Sequence, residues 1–235
     1  MVKLGNFFFH HRNYLFPVFY AMLFVPSPFI FKSYTLAFIL GLVITLLGQS
    51  IRFLTIGLVY IIRGGKNRKV YAEDLVTTGI FSHSRNPMYL GNVIMLLGMG
   101  ILANSLLFLF ILFPFFLFVY QAIIRAEENF LHQKFGASYE KYMQDVPRWL
   151  PKLKGFGSTL KEMNFNWSRV ILKEYNSTFV WMMAAILLIV KNFYLIGGQN
   201  LVMQYYHPLL LASAVLILTY LIIKVLKKTG RWVAN

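Results

Sequence analysis

The side chains best suited to chemistry fall in two short runs of an otherwise apolar chain. One is Thr78-Gly79-Ile80-Phe81-Ser82-His83-Ser84-Arg85-Asn86-Pro87-Met88-Tyr89-Leu90-Gly91; the other is Arg125-Ala126-Glu127-Glu128-Asn129-Phe130-Leu131-His132. Arginine and backbone N–H groups suit a carboxylate, and glutamate suits an ammonium. With Tyr139 beyond them, His83, Arg85, Asn86, Tyr89, Arg125, Glu127 and Glu128 therefore make a set that matches a zwitterion. A zwitterionic lipid headgroup fits that set as well as a small cofactor does. Pro87 is placed to open a helix, with Asn86 or Ser84 as its cap. Capping explains Asn86 and Pro87 but not why His83, Arg85 and Tyr89 crowd around them. In a helix, the adjacent Glu127 and Glu128 point about 100° apart, so one is expected to face inward and the other to meet Arg125 or solvent.

The elements that must carry these residues are membrane helices. The chain has 235 residues, 58% of them hydrophobic and 13% charged, and a mean hydropathy of +0.60, whereas soluble domains carry roughly 25% charged residues. Apolar runs near the length that spans a bilayer as a helix fall at 14–31, 34–62, 88–103, 106–124, 179–196 and 207–225. An all-α, polytopic helical bundle of about six transmembrane helices is expected. Pro17, Pro26 and Pro28 predict a kink or an early stop in the first span, which can also be read as re-entrant. The run to Phe31 lacks a small-residue cleavage pattern, so a cleaved leader is not expected.

The net charge of +15 is not that of a nucleic-acid binder, because of where the charge sits. In a six-helix topology, all basic residues except Lys32, Arg52 and Lys191 fall on one face. The positive-inside rule makes that face cytoplasmic, together with both termini; in a bacterium this is the inner membrane with the site facing the cytoplasm. Such a face also holds anionic lipid headgroups. Without cysteine there is no disulfide, thiolate chemistry or cysteine-ligated metal, and no metal site is expected.

Along the chain, Gly48, Gln49, Ser50 and Arg52 form the polar interval of the second span. Arg52 either snorkels to the headgroups or faces a partner or cavity. Residues 63–78 read as a basic, solvated, glycine-containing loop. Gly91, Gly98 and Gly100 bare one side of the third helix, for packing or for admitting a ligand. Pro114 is placed to kink the fourth. The aromatic stretch Tyr139 to Trp149 is an interfacial belt or one wall of a cofactor pocket. From Phe156 to Tyr175, apolar residues at helical spacing predict an amphipathic interfacial helix, with Lys161, Glu162, Arg169, Lys173 and Glu174 on its remainder. The resulting organisation is one membrane domain over 1–235, with a core at 48–151, an interfacial linker at 152–178 and a C-terminal helix hairpin at 179–235.

No GxGxxG after a strand, HExxH or nucleophile elbow is present. The stretch from about Gly48 to Pro151 resembles the isoprenylcysteine carboxyl methyltransferase and phospholipid methyltransferase superfamily of membrane-embedded S-adenosylmethionine enzymes. The resemblance rests on the Arg52 region, Leu75-Val76-Thr77-Thr78-Gly79-Ile80-Phe81, Ser84 to Gly91, Arg125-Ala126-Glu127-Glu128, Leu131, Phe135-Gly136, Tyr139, Tyr142 and Val146-Pro147-Arg148-Trp149-Leu150-Pro151. It implies S-adenosylmethionine as cofactor, its methionine end held by the motif around Arg85 and by the paired glutamates. Arg85, Asn86, Tyr89, Gly98, Glu127, Glu128 and Tyr139 are the implied cofactor residues, and Arg85, Glu128 and His83 the implied catalytic ones. The isoprenylcysteine branch usually has histidine at the position of Asn86, so the resemblance supports methyl transfer more than a prenyl-cysteine substrate.

The implied activity is methyl transfer to a lipidic or prenylated acceptor, with membrane lipids as partners. A carboxylate acceptor is already nucleophilic, whereas an amine must lose a proton, for which His83 or a glutamate is the candidate base. Arg52, Arg85 and Arg125 are candidates to orient an anionic acceptor. Alternatives are a phospholipid N-methyltransferase, a sterol-reductase-like NADPH enzyme, whose membrane module carries a related Arg-x-Pro-x-Tyr pattern, and a non-enzymatic lipid-binding or transport bundle.

Overall fold

The computed structural model describes residues 1–58, 63–66, 69–162 and 164–233. It is a bundle of membrane helices. Helix α1 spans Val2–Ala21 and runs into a 3-10 turn, Met22–Phe24; α2 spans Tyr34–Leu58. A β-hairpin comes next, with β1 at Arg63–Lys66 antiparallel to β2 at Lys69–Ala72. Then come α3 (Pro87–Leu102), α4 (Phe113–Phe135), α5 (Ala137–Asp145), α6 (Phe156–Glu162), α7 (Trp167–Gln204) and α8 (Tyr206–Lys228).

Two expectations are corrected. Among the described residues four helical segments, not six, are long and apolar enough to cross a membrane: Tyr34–Leu58, Phe108–Phe135, Trp167–Gln204 and Tyr206–Lys228. The expected first span fails because its helix starts early and carries His10, His11, Arg12 and Asn13 through its middle, then ends before Pro26 and Pro28. Helix α3 has 16 residues, which at 1.5 Å per residue is about 24 Å, short of a hydrocarbon core of about 30 Å. The second correction concerns the basic run after α2, which includes a β-hairpin; Asn67 and Arg68 of that run lie outside the described residues.

Close approach of α2 and α3 organises the bundle, and glycines permit it. A Cβ on Gly48 would lie 2.6 Å from the Gly91 carbonyl oxygen and the Met95 nitrogen, and one on Gly98 would collide with Thr45 Oγ1. A short π-helix, Phe108–Leu112, leads into α4. It immediately precedes Pro114, which lacks an N–H and displaces the carbonyl a turn earlier. The apolar core joins Leu96, Met99, Leu102, Phe108, Phe116 and Tyr120. Helix α7 is continuous from Trp167 through the expected 178/179 boundary and breaks at Gly198, where φ is +64°.

Helix α7 is fastened to the rest of the bundle at two levels. Near its start, Glu174 takes Arg52 in a two-pronged ion pair, with Nε 2.8 Å from Oε2 and NH2 2.6 Å from Oε1. Further along, Lys191 Nζ donates to the carbonyls of Leu23 and Ala103, and Asn192 Nδ2 to that of Leu102. Those carbonyls belong to helix ends, where a cation is favourable.

Candidate active site

The motif from Thr78 to Gly91 is held in shape by a strap, residues 147–152, that runs beside it. Gly79 turns the chain with φ +61° and starts a 3-10 turn, Gly79–Ser82. The strap pairs with the residues between that turn and α3. Arg85 N donates to Pro147 O at 2.9 Å, Asn86 Nδ2 to Arg148 O at 3.2 Å, Ser84 Oγ to Trp149 O at 3.1 Å, and Lys152 N to His83 O at 2.9 Å. Asn86 does sit at the N-cap of α3, with Pro87 in the first turn, but its side chain makes no cap bond. Its amide holds the strap instead.

Both glutamates on α4 are buried, Glu127 at 4% exposure and Glu128 at 6%, which corrects the expectation that only one faces inward. The reason is that α4 has partners on two sides. Tyr89, on α3, donates its hydroxyl to Glu127 Oε1 at 2.6 Å. Arg148, on the strap, grips Glu128 with Nε 2.9 Å from Oε1 and NH2 2.7 Å from Oε2. Arg125 points away and is exposed.

Arg85 completes the cluster and is its unusual member. It is 8% exposed, and NH1 lies 3.3 Å from Glu128 Oε1, an ion-pair distance. Yet neither Nε nor NH1 has a hydrogen-bond acceptor. Buried donors are nearly always satisfied, and a free one costs about 1–3 kcal/mol or more when charged. A guanidinium left this way, sharing its one close carboxylate with Arg148, is prepared for an incoming oxygen anion. The donor set therefore fits the carboxylate end of an amino-acid-like cofactor.

The remaining expected residues sit apart from this cluster. His83 Nδ1 lies 2.7 Å from Lys152 O and Nε2 2.9 Å from Thr159 Oγ1, with the Phe156 ring edge-on. Both ring nitrogens thus hold the end of the strap and the segment beyond it. Gly98 lies at the α2–α3 contact. Tyr139 packs with Ala72, Leu131, Tyr142 and Val146. One contributor to the cluster, Arg148, has no signal in the sequence beyond its place in the matching stretch; Glu174, which helical spacing puts on a polar face, instead braces Arg52 outside the cluster.

Residues 36–138 match the phospholipid methyltransferase family. The chain is 29% identical over 153 residues to a cobalt-zinc-cadmium resistance protein, CzcN, of Cupriavidus metallidurans, covering 64% of this chain and 68% of that protein. It is 33% identical over 87 residues to a nickel-cobalt-cadmium resistance protein, NccN, of Alcaligenes xylosoxydans xylosoxydans, covering 37% and 40%. It is 40% identical over 81 residues to the protein-S-isoprenylcysteine O-methyltransferase of Schizosaccharomyces pombe, covering 33% of each. The chain thus matches between a third and about two thirds of the length of these relatives. No solved structure matches the chain. Among the described residues no group of three or more histidine and carboxylate side chains is placed to hold a metal ion.

Proposed function

We propose that the chain is a member of the isoprenylcysteine carboxyl methyltransferase and phospholipid methyltransferase superfamily, as the match of residues 36–138 to the phospholipid methyltransferase family supports, and that it transfers a methyl group from S-adenosylmethionine to a lipidic or prenylated acceptor. When bound, the cofactor supplies a methyl group already activated on a sulfonium, so the protein's task is placement more than chemistry. The observation that carries the reading is Arg85, buried beside Glu128 with Nε and NH1 still open.

In this reading Arg85 receives the cofactor carboxylate and the Tyr89–Glu127 pair faces its ammonium. Glu128 and Arg148 hold Arg85 in place through the charge they share. Asn86 keeps the strap closed over the cluster, and Tyr139 supports α5 beneath it. His83 fastens the strap's continuation rather than abstracting a proton, because each of its nitrogens already has a partner. This arrangement suits an acceptor that needs no base. The site lies at the end of the bundle that carries the strap with Arg148 and Lys152, and the excess of basic residues at that end supports a cytoplasmic orientation.

The test is label transfer from methyl-labelled S-adenosylmethionine to a total membrane-lipid extract by the purified, full-length protein. A labelled lipid that disappears with Arg85→Met supports the reading. A protein that neither binds the cofactor nor labels any lipid refutes it.

A further inference from the structure

A cavity of about 530 Å³ lies between α1, α3 and α7, and its lining includes none of the carboxylate cluster. Leu23, Phe24, Met95, Leu96, Met99 and Ala184 make its wall mostly apolar. Four lining residues carry hydrogen-bonding groups. Of these, the Tyr20 hydroxyl faces that of Tyr120, and Trp181 Nε1 donates to Gln49 Oε1 at 2.8 Å. Asn92 and Ser177 retain capacity.

The orientation of Asn92 is fixed by chemistry. Arg52 NH1 donates to it, and since a guanidinium has only donors, the atom it meets must be Oδ1. The Nδ2 group is thereby turned away, and no protein acceptor meets it among the described residues. Arg52 is itself immobilised by both oxygens of Glu174, and Gln49 Nε2 braces Glu174 Oε2 at 3.3 Å. Glu174, Arg52 and Asn92 form a relay that ends in two N–H donors at the cavity. Ser177, one turn beyond Glu174 on α7, adds a hydroxyl to the same lining.

We propose that this cavity binds a hydrocarbon chain carrying an uncharged oxygen acceptor, an ester, carbonyl or ether oxygen, seated at Asn92 Nδ2 and Ser177 Oγ. Three features select that chemistry. A plain alkane leaves the fixed donors unpaired. An ionised headgroup finds no free counter-charge, because Arg52 is neutralised by Glu174. Beyond the polar end the wall accepts only apolar matter, and the unbranched thioethers of Met95 and Met99 adapt to kinked or branched chains. Asn92 stands one turn past Tyr89 on α3, so the oxygen end lies nearest the carboxylate cluster while the chain runs along Leu96 and Met99. Of its three walls only α3 lies within the family-matched residues 36–138; α1 and α7 lie outside them.

The site is tested by binding, without reference to methyl transfer. Methyl 9,10-dibromostearate is added to the full-length protein in detergent, and bromine quenching of Trp181 is taken as the fluorescence loss that disappears in Trp181→Phe. The ester is expected to bind about tenfold more tightly than 9,10-dibromooctadecane, as one or two added hydrogen bonds provide. Asn92→Leu removes that preference, Ser177→Ala reduces it about threefold, and Ala184→Phe fills the cavity and abolishes quenching. If Asn92→Leu does not fold, the ester-to-alkane ratio and Ser177→Ala decide the matter. Equal binding of ester and alkane, or no Trp181-dependent quenching, overturns the proposal whatever the transfer assay gives. If the ester also suppresses methyl transfer to membrane lipid, the natural occupant is the methyl acceptor; if it binds without suppressing, the occupant is a bilayer lipid, and the site stands in both cases.

Discussion

Two largely buried arginines in this molecule, Arg52 and Arg85, face glutamates, and they differ in how much of their hydrogen-bonding capacity is spent. Arg52 uses Nε and NH2 on Glu174 and NH1 on Asn92. Arg85 has an ion pair to Glu128 but an open Nε and NH1. A saturated pair has nothing left for a ligand and can only brace, here joining α2 to α7. An unsaturated one stores binding capacity. Burial and charge alone therefore do not mark a site in a membrane bundle; the unspent donors do.

Breaking the brace is expected to have the largest effect. Glu174→Ala leaves Arg52 buried without its counter-charge, which costs about 3–5 kcal/mol, seen as a large fall in melting temperature in detergent. The double variant Arg52→Met, Glu174→Leu is expected to recover most of that loss, because apolar replacement of a buried pair is often neutral. Neither change touches the carboxylate cluster, so the folded double variant keeps its affinity for S-adenosylmethionine.

The open pair behaves in the opposite way. Arg85→Met is expected to lower cofactor affinity about 100-fold or more, in line with 2–5 kcal/mol for a buried charged contact, with little loss of stability. Glu128→Gln weakens the hold on Arg148 and Arg85 and is expected to lower affinity about tenfold. Isothermal titration of the purified variants checks both values.

Smaller effects sharpen the boundary between scaffold and site. Gly98→Ala forces a Cβ against Thr45, an overpacking cost of about 1–3 kcal/mol, with cofactor affinity unchanged in the folded fraction. His83→Ala frees the segment at Lys152 and Thr159 at a cost of about 1 kcal/mol. Its signature is faster proteolysis between residues 150 and 160, and activity that retains its pH profile.

Much of the site was legible because its residues are sequence neighbours. Arg85, Asn86 and Tyr89 sit within one helix start, and Glu127 and Glu128 are adjacent. What escaped was set by tertiary contact. The expectation of a single inward glutamate assumed one packing partner for α4, whereas Tyr89 approaches from α3 and Arg148 from the strap. Glu174 was indistinguishable from its exposed neighbour Lys173, since helical periodicity shows a face but not what covers it. The count of spans failed for a related reason. The bundle tolerates a short α3 because glycines seat it deep against α2, and hydropathy does not measure depth. The hairpin after α2 escaped because a basic stretch with two adjacent glycines reads as solvated loop.

The central claim is that Arg85 is poised for a ligand and Arg52 is not. Binding of labelled S-adenosylmethionine to the wild type, to Arg85→Met and to the folded double variant Arg52→Met, Glu174→Leu tests it most directly. The account predicts that Arg85→Met melts near the wild-type temperature and loses binding, while the double variant binds as the wild type does. Wild-type affinity in Arg85→Met, or an equal loss in both variants, would contradict it.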